Sequence, residues 1–221
     1  MKWVVSLLLF PALATAQGVI QTYDEARSKY FWKSLYKNGG ETLYCGIEFG
    51  GGRDHKDKKL HVEHVMPASW IAAHYGCLNR HACPVDAYHY AAADLHNLWP
   101  ALGTINVDRY NLPYGTVKDE ENAQIRQEVC QDAELLGTKY SGVFEPRDSV
   151  KGDIARSMFY MELAYGISLG RDRKLYLKWA AKDPVDEMER KRNKAITRIQ
   201  RRGNPFIEYG DDGKSLKPAE Y

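Results

Sequence analysis

Four cysteines, Cys45, Cys77, Cys83 and Cys130, constrain what this chain can fold into more than any other feature, because of the segment in front of them. Lys2 gives a short positive start, and Trp3 to Ala12 is a compact apolar run. Ala14-Thr15-Ala16 then offers the small residues a signal peptidase reads, with Gln17 as the expected mature N-terminus. The run is too short to cross about 30 Å of hydrocarbon, and Pro11 interrupts it. Residues 1–16 therefore read as a signal peptide. The mature chain is expected to be exported, periplasmic or extracellular, into an oxidising compartment where an even number of cysteines forms disulfides. Four cysteines allow three connectivities. Cys77 and Cys83 enclose a short polar loop, so Cys77–Cys83 is the simplest local pairing and leaves Cys45–Cys130 as a long staple. A zinc site is the rival reading, but no C-x-x-C pair exists.

The 221 residues suffice for one sizeable domain, and 44% hydrophobic with 27% charged content excludes disordered and fibrous classes. A net charge of +2 excludes binding of nucleic acid by bulk charge, so any such binding needs a local patch. No later segment is long and apolar enough to span a membrane.

Thr22 or Asp24 can cap a helix reaching Tyr36, stopped by Asn38-Gly39-Gly40. Thr42–Phe49 reads as a strand, Arg53–Lys59 as a basic loop, and Leu60–Met66 as a second strand ended by Pro67. Asp94–Pro100 alternates like a strand, and Thr104 can cap a short helix that sets Asn106 and Arg109 on one face. Asp153 can cap a helix with Ile154, Met158, Met161 and Tyr165 on its apolar side, stopped at Gly166. Asp183-Pro184 signals another helix, acidic at its start and basic toward Arg202, ended by Gly203. The tail beyond Tyr209 is polar. The expected class is α+β, a mixed single domain over residues 17–209 flanked by the leader and by a tail over 210–221.

All seven histidines fall between His55 and His96. His61-Val62-Glu63-His64 puts a hard oxygen ligand beside an imidazole at a strand end, suited to a divalent cation and to general-base work near neutral pH. The zinc-protease pattern H-E-x-x-H is not met, because glutamate follows the wrong position and Pro67 shortens any helix. An ordinary hydrogen-bonded histidine is the structural alternative. An amide and a guanidinium projecting together from Asn106 and Arg109 suit a metal-bound phosphate.

Three motifs in order, Glu63-His64-Val65-Met66-Pro67-Ala68, Asp94-Leu95-His96-Asn97-Leu98-Trp99-Pro100 and Asn106-Val107-Asp108-Arg109-Tyr110-Asn111, resemble those of the bacterial endonuclease I family. Tyr44-Cys45-Gly46, the Cys77-to-Cys83 loop, Ile154–Met161 and Asn204-Pro205-Phe206 extend the resemblance over most of residues 25–207. These are exported nonspecific nucleases of the ββα-metal, or His-Me finger, superfamily. The resemblance implies a central ββα-metal element with helices on either side. It implies His64 as general base, Glu63 and Asn106 as ligands of a single Mg²⁺ (or Ca²⁺ or Mn²⁺), and Arg80 on the scissile phosphate. DNA is the implied partner through its phosphates, with RNA left open, and the protein acts as a monomer. Arg109, Lys58 and Lys59 are candidate phosphate contacts, as is the basic face near residue 190. The chain departs from the family pattern at Ala91-Ala92-Ala93, where an acid is expected in some members, at Val107, where glycine is common, and in having only four cysteines. A different exported metal-dependent phosphoesterase is the alternative, and a non-catalytic binding protein the third reading.

Overall fold

The computed structural model describes residues 18–117, 124–125, 130, 133–138 and 141–209, so the expected signal peptide and the polar tail lie outside the described residues. Thr22 accepts the Glu25 amide at 3.2 Å and starts helix α1 (Tyr23–Glu25), which widens into a π-helix over Ala26–Leu35. The Tyr36 amide reaches back to the Phe31 carbonyl at 2.9 Å, so the widened turn persists to the end. Hydrophobic spacing alone does not distinguish that wider turn from an α-helix.

The strand expected over Thr42–Phe49 is instead two short strands, β1 (Gly39–Glu41) and β2 (Glu48–Gly50), paired antiparallel with Gly40 opposite Phe49. The chain folds back because Thr42 Oγ1 accepts the Ile47 amide at 2.9 Å and Gly46 takes φ 64°. Gly39 and Gly40, expected only to stop the helix, begin the hairpin. Within the basic loop lies a one-turn helix, α2 (Asp54–Asp57), whose Asp54 accepts the Gly50 amide at 2.6 Å.

Strand β3 (Leu60–His64) pairs antiparallel with β4 (Leu98–Leu102), Glu63 opposite Trp99 and His64 opposite Leu98. Between them run helices α3 (Ala68–His74) and α4 (Asp86–Ala92). The strand expected from Asp94 begins only at Leu98, because the Asp94 carboxylate accepts the His96 amide at 2.9 Å and turns Leu95–Asn97 into a 3₁₀ turn. Helix α5 (Gly103–Arg109) follows β4 directly; Leu102 rather than Thr104 occupies the residue before it. Gly103 is required there. A Cβ would lie 2.6 Å from the Lys59 carbonyl and 2.9 Å from His61 Nε2, so only glycine lets α5 close onto the start of β3.

A third sheet joins β5 (Gln124–Ile125), β6 (Glu134–Thr138) and β7 (Ser141–Glu145), all antiparallel. Helix α6 (Lys151–Tyr165) runs through the core with Ile154, Met158 and Met161 fully buried and Gly166 closing it in the left-handed conformation. Asp153 is not its cap. It lies inside the first turn, buried, 3.2 Å from Arg156, which also pairs with Glu189. Helices α7 (Arg173–Lys182), α8 (Glu187–Gln200) and α9 (Pro205–Glu208) complete the described elements. Helix α8 starts later than Asp183-Pro184 suggested, because Asp186 accepts the Glu189 amide at 2.8 Å and provides the cap. Arg201 (φ 61°), not Gly203, adopts the left-handed conformation at its end. Both expected disulfides are present, Cys45–Cys130 with Cα atoms 4.6 Å apart and Cys77–Cys83 with Cα atoms 5.1 Å apart. The class is mixed α+β, as expected.

Candidate active site

Strand alternation puts His61 and Glu63 on the face of β3 that α5 covers. The helix meets that face twice. Asn106 Nδ2 donates to His61 Nδ1 at 3.4 Å, and one turn later Arg109 Nη1 donates to Glu63 Oε1 at 2.7 Å. The strand pair and helix thus form one packed unit that carries the Glu63, His64 and Asn106 side chains toward a common cleft of about 1380 Å³.

Glu63 is 3% exposed, so its carboxylate needs partners. Oε1 accepts from both Tyr44 Oη and Arg109 Nη1, each at 2.7 Å. Burial pushes its pKa up, and the Arg109 charge with the Tyr44 bond pulls it back. Tyr44 is itself held by the Tyr114 hydroxyl at 2.6 Å.

Arg109 departs from the role expected of it. It is completely buried, and beyond Glu63 it donates to the carbonyls of His64 at 3.0 Å and Val65 at 2.9 Å, with its guanidinium 4.4 Å from the centre of the Tyr114 ring. A phosphate cannot reach it. The residue instead fixes the end of β3, which carries both candidate catalytic side chains.

His64 lies half-buried at that end, its ring 4.8 Å from the Tyr23 ring and its Nε2 2.8 Å from the Ala92 carbonyl. A carbonyl only accepts, so Nε2 carries the proton and Nδ1 keeps its lone pair. Burial, reinforced by the charges of Arg80 and Arg109, lowers the pKa to about 4, and the ring is neutral at neutral pH. The alanines that replace an expected acid thus contribute a backbone carbonyl to orient the imidazole.

Arg80 projects from the Cys77–Cys83 loop into the same cleft, with its Nε 3.2 Å from His81 Nε2. Its backbone carbonyl accepts from Tyr88 Oη at 2.9 Å, which ties the loop to α4. The four candidates Glu63, His64, Arg80 and Asn106, named from three separate stretches of sequence, therefore line one cavity. Lys58 and Lys59 do not line it. Lys58 pairs with Asp54 at 3.4 Å and Lys59 makes a left-handed turn (φ 53°) into β3; Lys33, Arg53 and Lys56 line the cleft. On the basic face near residue 190, Arg192 is buried, donating to the Leu95 and Leu98 carbonyls with its guanidinium 3.8 Å from the centre of the Trp99 ring.

Sequence reasoning missed Tyr44, Tyr114 and Tyr23 as supports of the site, since each acts through a contact across at least 19 residues that no local pattern carries. Tyr44 was visible only as part of the Tyr44-Cys45-Gly46 stretch, with no role attached to it. For a hard cation, the available donors are the Glu63 carboxylate and the Asn106 Oδ1, because the Asn106 amide nitrogen already faces His61.

A family model described as endonuclease I matches residues 15–210. An extracellular deoxyribonuclease of Aeromonas hydrophila is 33% identical over 223 positions, covering 91% of this chain and 94% of its own length. A periplasmic deoxyribonuclease of the same organism is 32% identical, covering 79% of this chain and 81% of its own. Endonuclease-1 of Buchnera aphidicola subsp. Acyrthosiphon pisum (strain APS) is 33% identical, covering 80% of this chain and 69% of its own. The family match runs the length of the described fold and includes β3, β4 and α5, so the chain belongs to the endonuclease I family and is an endonuclease.

Proposed function

We propose that this protein is an exported, sequence-nonspecific nuclease that hydrolyses phosphodiester bonds of DNA with one divalent ion and His64 as general base. The observation that carries the reading is the convergence of Glu63, His64, Asn106 and Arg80 on one cleft whose wall also holds Lys33, Arg53 and Lys56. The names of the relatives support DNA as substrate and a periplasmic or extracellular location. Two disulfides fit an exported chain, and among the described residues no helix is long and apolar enough to cross a membrane.

His64 Nδ1 accepts a proton from the attacking water while Ala92 holds the ring through Nε2. Arg80 donates to a non-bridging phosphate oxygen. Glu63 and Asn106 would hold Mg²⁺ (or Ca²⁺ or Mn²⁺) through two hard oxygens, and the bound ion would supply charge neutralisation at the phosphate and the leaving oxygen. All these contacts are to the backbone, so cleavage is insensitive to base sequence.

The test incubates the protein with plasmid, single-stranded DNA and RNA, in Mg²⁺ or in EDTA. Cleavage in Mg²⁺ alone is expected. His64→Ala loses about 10²- to 10⁴-fold in turnover while calorimetry shows Mg²⁺ still bound. Glu63→Ala loses the ion. If His64→Ala lost metal affinity as severely as Glu63→Ala, the base assignment would be wrong.

A further inference from the structure

The cleft extends past His64 to a second wall. There the π-helix, with Trp32 and Lys33, faces the loop of α2, with Arg53, His55 and Lys56. The Trp32 and His55 rings stack, centroids 4.2 Å apart and planes 12° from parallel. Trp32 is backed by other rings, Phe31 at 4.7 Å and Phe49 at 6.0 Å. Trp32 is the ring His55 rests on, which makes the imidazole the outer leaf of a braced aromatic stack. Of the nearby acids, Asp54 is taken up by the Gly50 amide and Lys58, and Asp57, which also acts on His55, does not line the cleft, so neither cancels the charges of Arg53 and Lys56 on the cleft wall.

A flat aromatic surface between two cations is the arrangement that holds a single nucleic-acid strand, base on ring and phosphates on either side. We propose that this end of the cleft is a base-stacking subsite, in which a nucleobase of the substrate strand lies on His55 while adjoining phosphates meet Arg53 and Lys56. The proposal rests on the nuclease reading and adds where the strand is gripped. Every base has a π-face, so such a subsite binds without reading sequence. Burial lowers the His55 pKa from its ordinary value, and the ring therefore contributes a surface rather than a charge. The subsite and the candidate catalytic residues share one cleft, which both His55 and His64 line.

The experiment measures affinity in EDTA, without cleavage, for a short fluorescent single-stranded oligonucleotide and for an abasic oligonucleotide of the same length. Wild type, His55→Ala and His55→Phe are compared. His55→Ala is expected to weaken binding of the base-bearing strand by about 5- to 150-fold. It should leave the abasic strand and the salt dependence unchanged, and His55→Phe should restore affinity. Arg53→Ala and Lys56→Ala should weaken both strands alike and each lower the salt slope by about one. Equal loss on both strands for His55→Ala, or no loss on either, overturns the subsite while the nuclease reading stands. Failure of wild type to bind either strand overturns both.

Discussion

Arg109 has its guanidinium among the Glu63 carboxylate and two consecutive carbonyls at the end of β3, with no exposed surface. Removing one member of a buried pair leaves the other uncompensated. Arg109→Ala is therefore expected to cost about 3–5 kcal/mol, read as a lower denaturant midpoint, with the salt dependence of DNA binding unchanged in the folded fraction. A change in that salt dependence would return Arg109 to the phosphate contact its sequence position suggested. His96 makes a second residue-scale case. It is 1% exposed, donates from Nε2 to the Arg202 carbonyl at 3.1 Å, and has no partner at Nδ1 among the described residues. Protonation would bury a charge, so its pKa falls from 6.5 to about 4. The unfolded chain then binds the extra proton between those values. Stability from this group is full above pH 6.5 and is lost as pH falls toward 4, at up to about 1.4 kcal/mol per pH unit. His96→Gln should flatten the stability profile over that window; an unchanged slope would reject the assignment.

The motif Asp94–Pro100 works at the scale of elements. Asn97 clamps the backbone just after β3, accepting the Met66 amide at 2.7 Å and donating to the Met66 carbonyl at 3.0 Å. Asp94 gathers the helices: Oδ1 accepts from Gln200 of α8 at 2.9 Å, and Oδ2 from Tyr160 and Tyr165 of α6 at 2.9 and 2.7 Å. Neither side chain lines the cleft, and both act on position. Asn97→Ala leaves two buried backbone groups unpaired and is expected to cost about 2–4 kcal/mol. Turnover should fall more than substrate affinity, because the strand end that carries His64 loosens while the cationic wall stays in place. Kinetics well below the melting temperature separate the two, and an unchanged turnover would make Asn97 a purely structural residue. Elements with strong local signals were legible: Thr22 as one of two candidate caps, the strand expected over Leu60–Met66, which ends two residues earlier at His64, and Gly166 as a helix stop. The split of residues 42–49 into two strands was not, because it turns on one threonine hydroxyl and one left-handed glycine.

Over the whole molecule the two disulfides divide the work. Cys45 adjoins Tyr44, the phenol on Glu63, so Cys45–Cys130 anchors that support over a separation of 85 residues. In the chain-entropy model the bridge contributes roughly 4.5 kcal/mol, and Cys77–Cys83, with a separation of 6, roughly 2 kcal/mol. Cys45→Ser/Cys130→Ser should therefore lower the denaturant midpoint more than Cys77→Ser/Cys83→Ser. The short bridge closes the loop that carries Arg80, and a displacement of about 1 Å can cost ~10²-fold in rate. Its removal should appear chiefly as lost turnover in folded protein. Equal turnover would show that the Tyr88 bond to the Arg80 carbonyl already holds the loop.

The sequence by itself indicated the class of the fold, one favoured pairing of the cysteines among three, and, through its resemblance to the endonuclease I family, the short stretches from which Glu63, His64, Arg80 and Asn106 come. The class and the favoured pairing follow from local facts: spacing, caps, loop lengths and residue chemistry within a few positions. Tertiary structure alone decided what surrounds them. It put Arg109 on Glu63 across 46 residues instead of on a phosphate, set Ala92 against His64, and stacked His55 on Trp32 at the far end of the cleft. The physical reason is burial. A guanidinium or a carboxylate reads the same in any exposed stretch, and only the packing of β3 against α5 removes these groups from water and makes each depend on a distant partner.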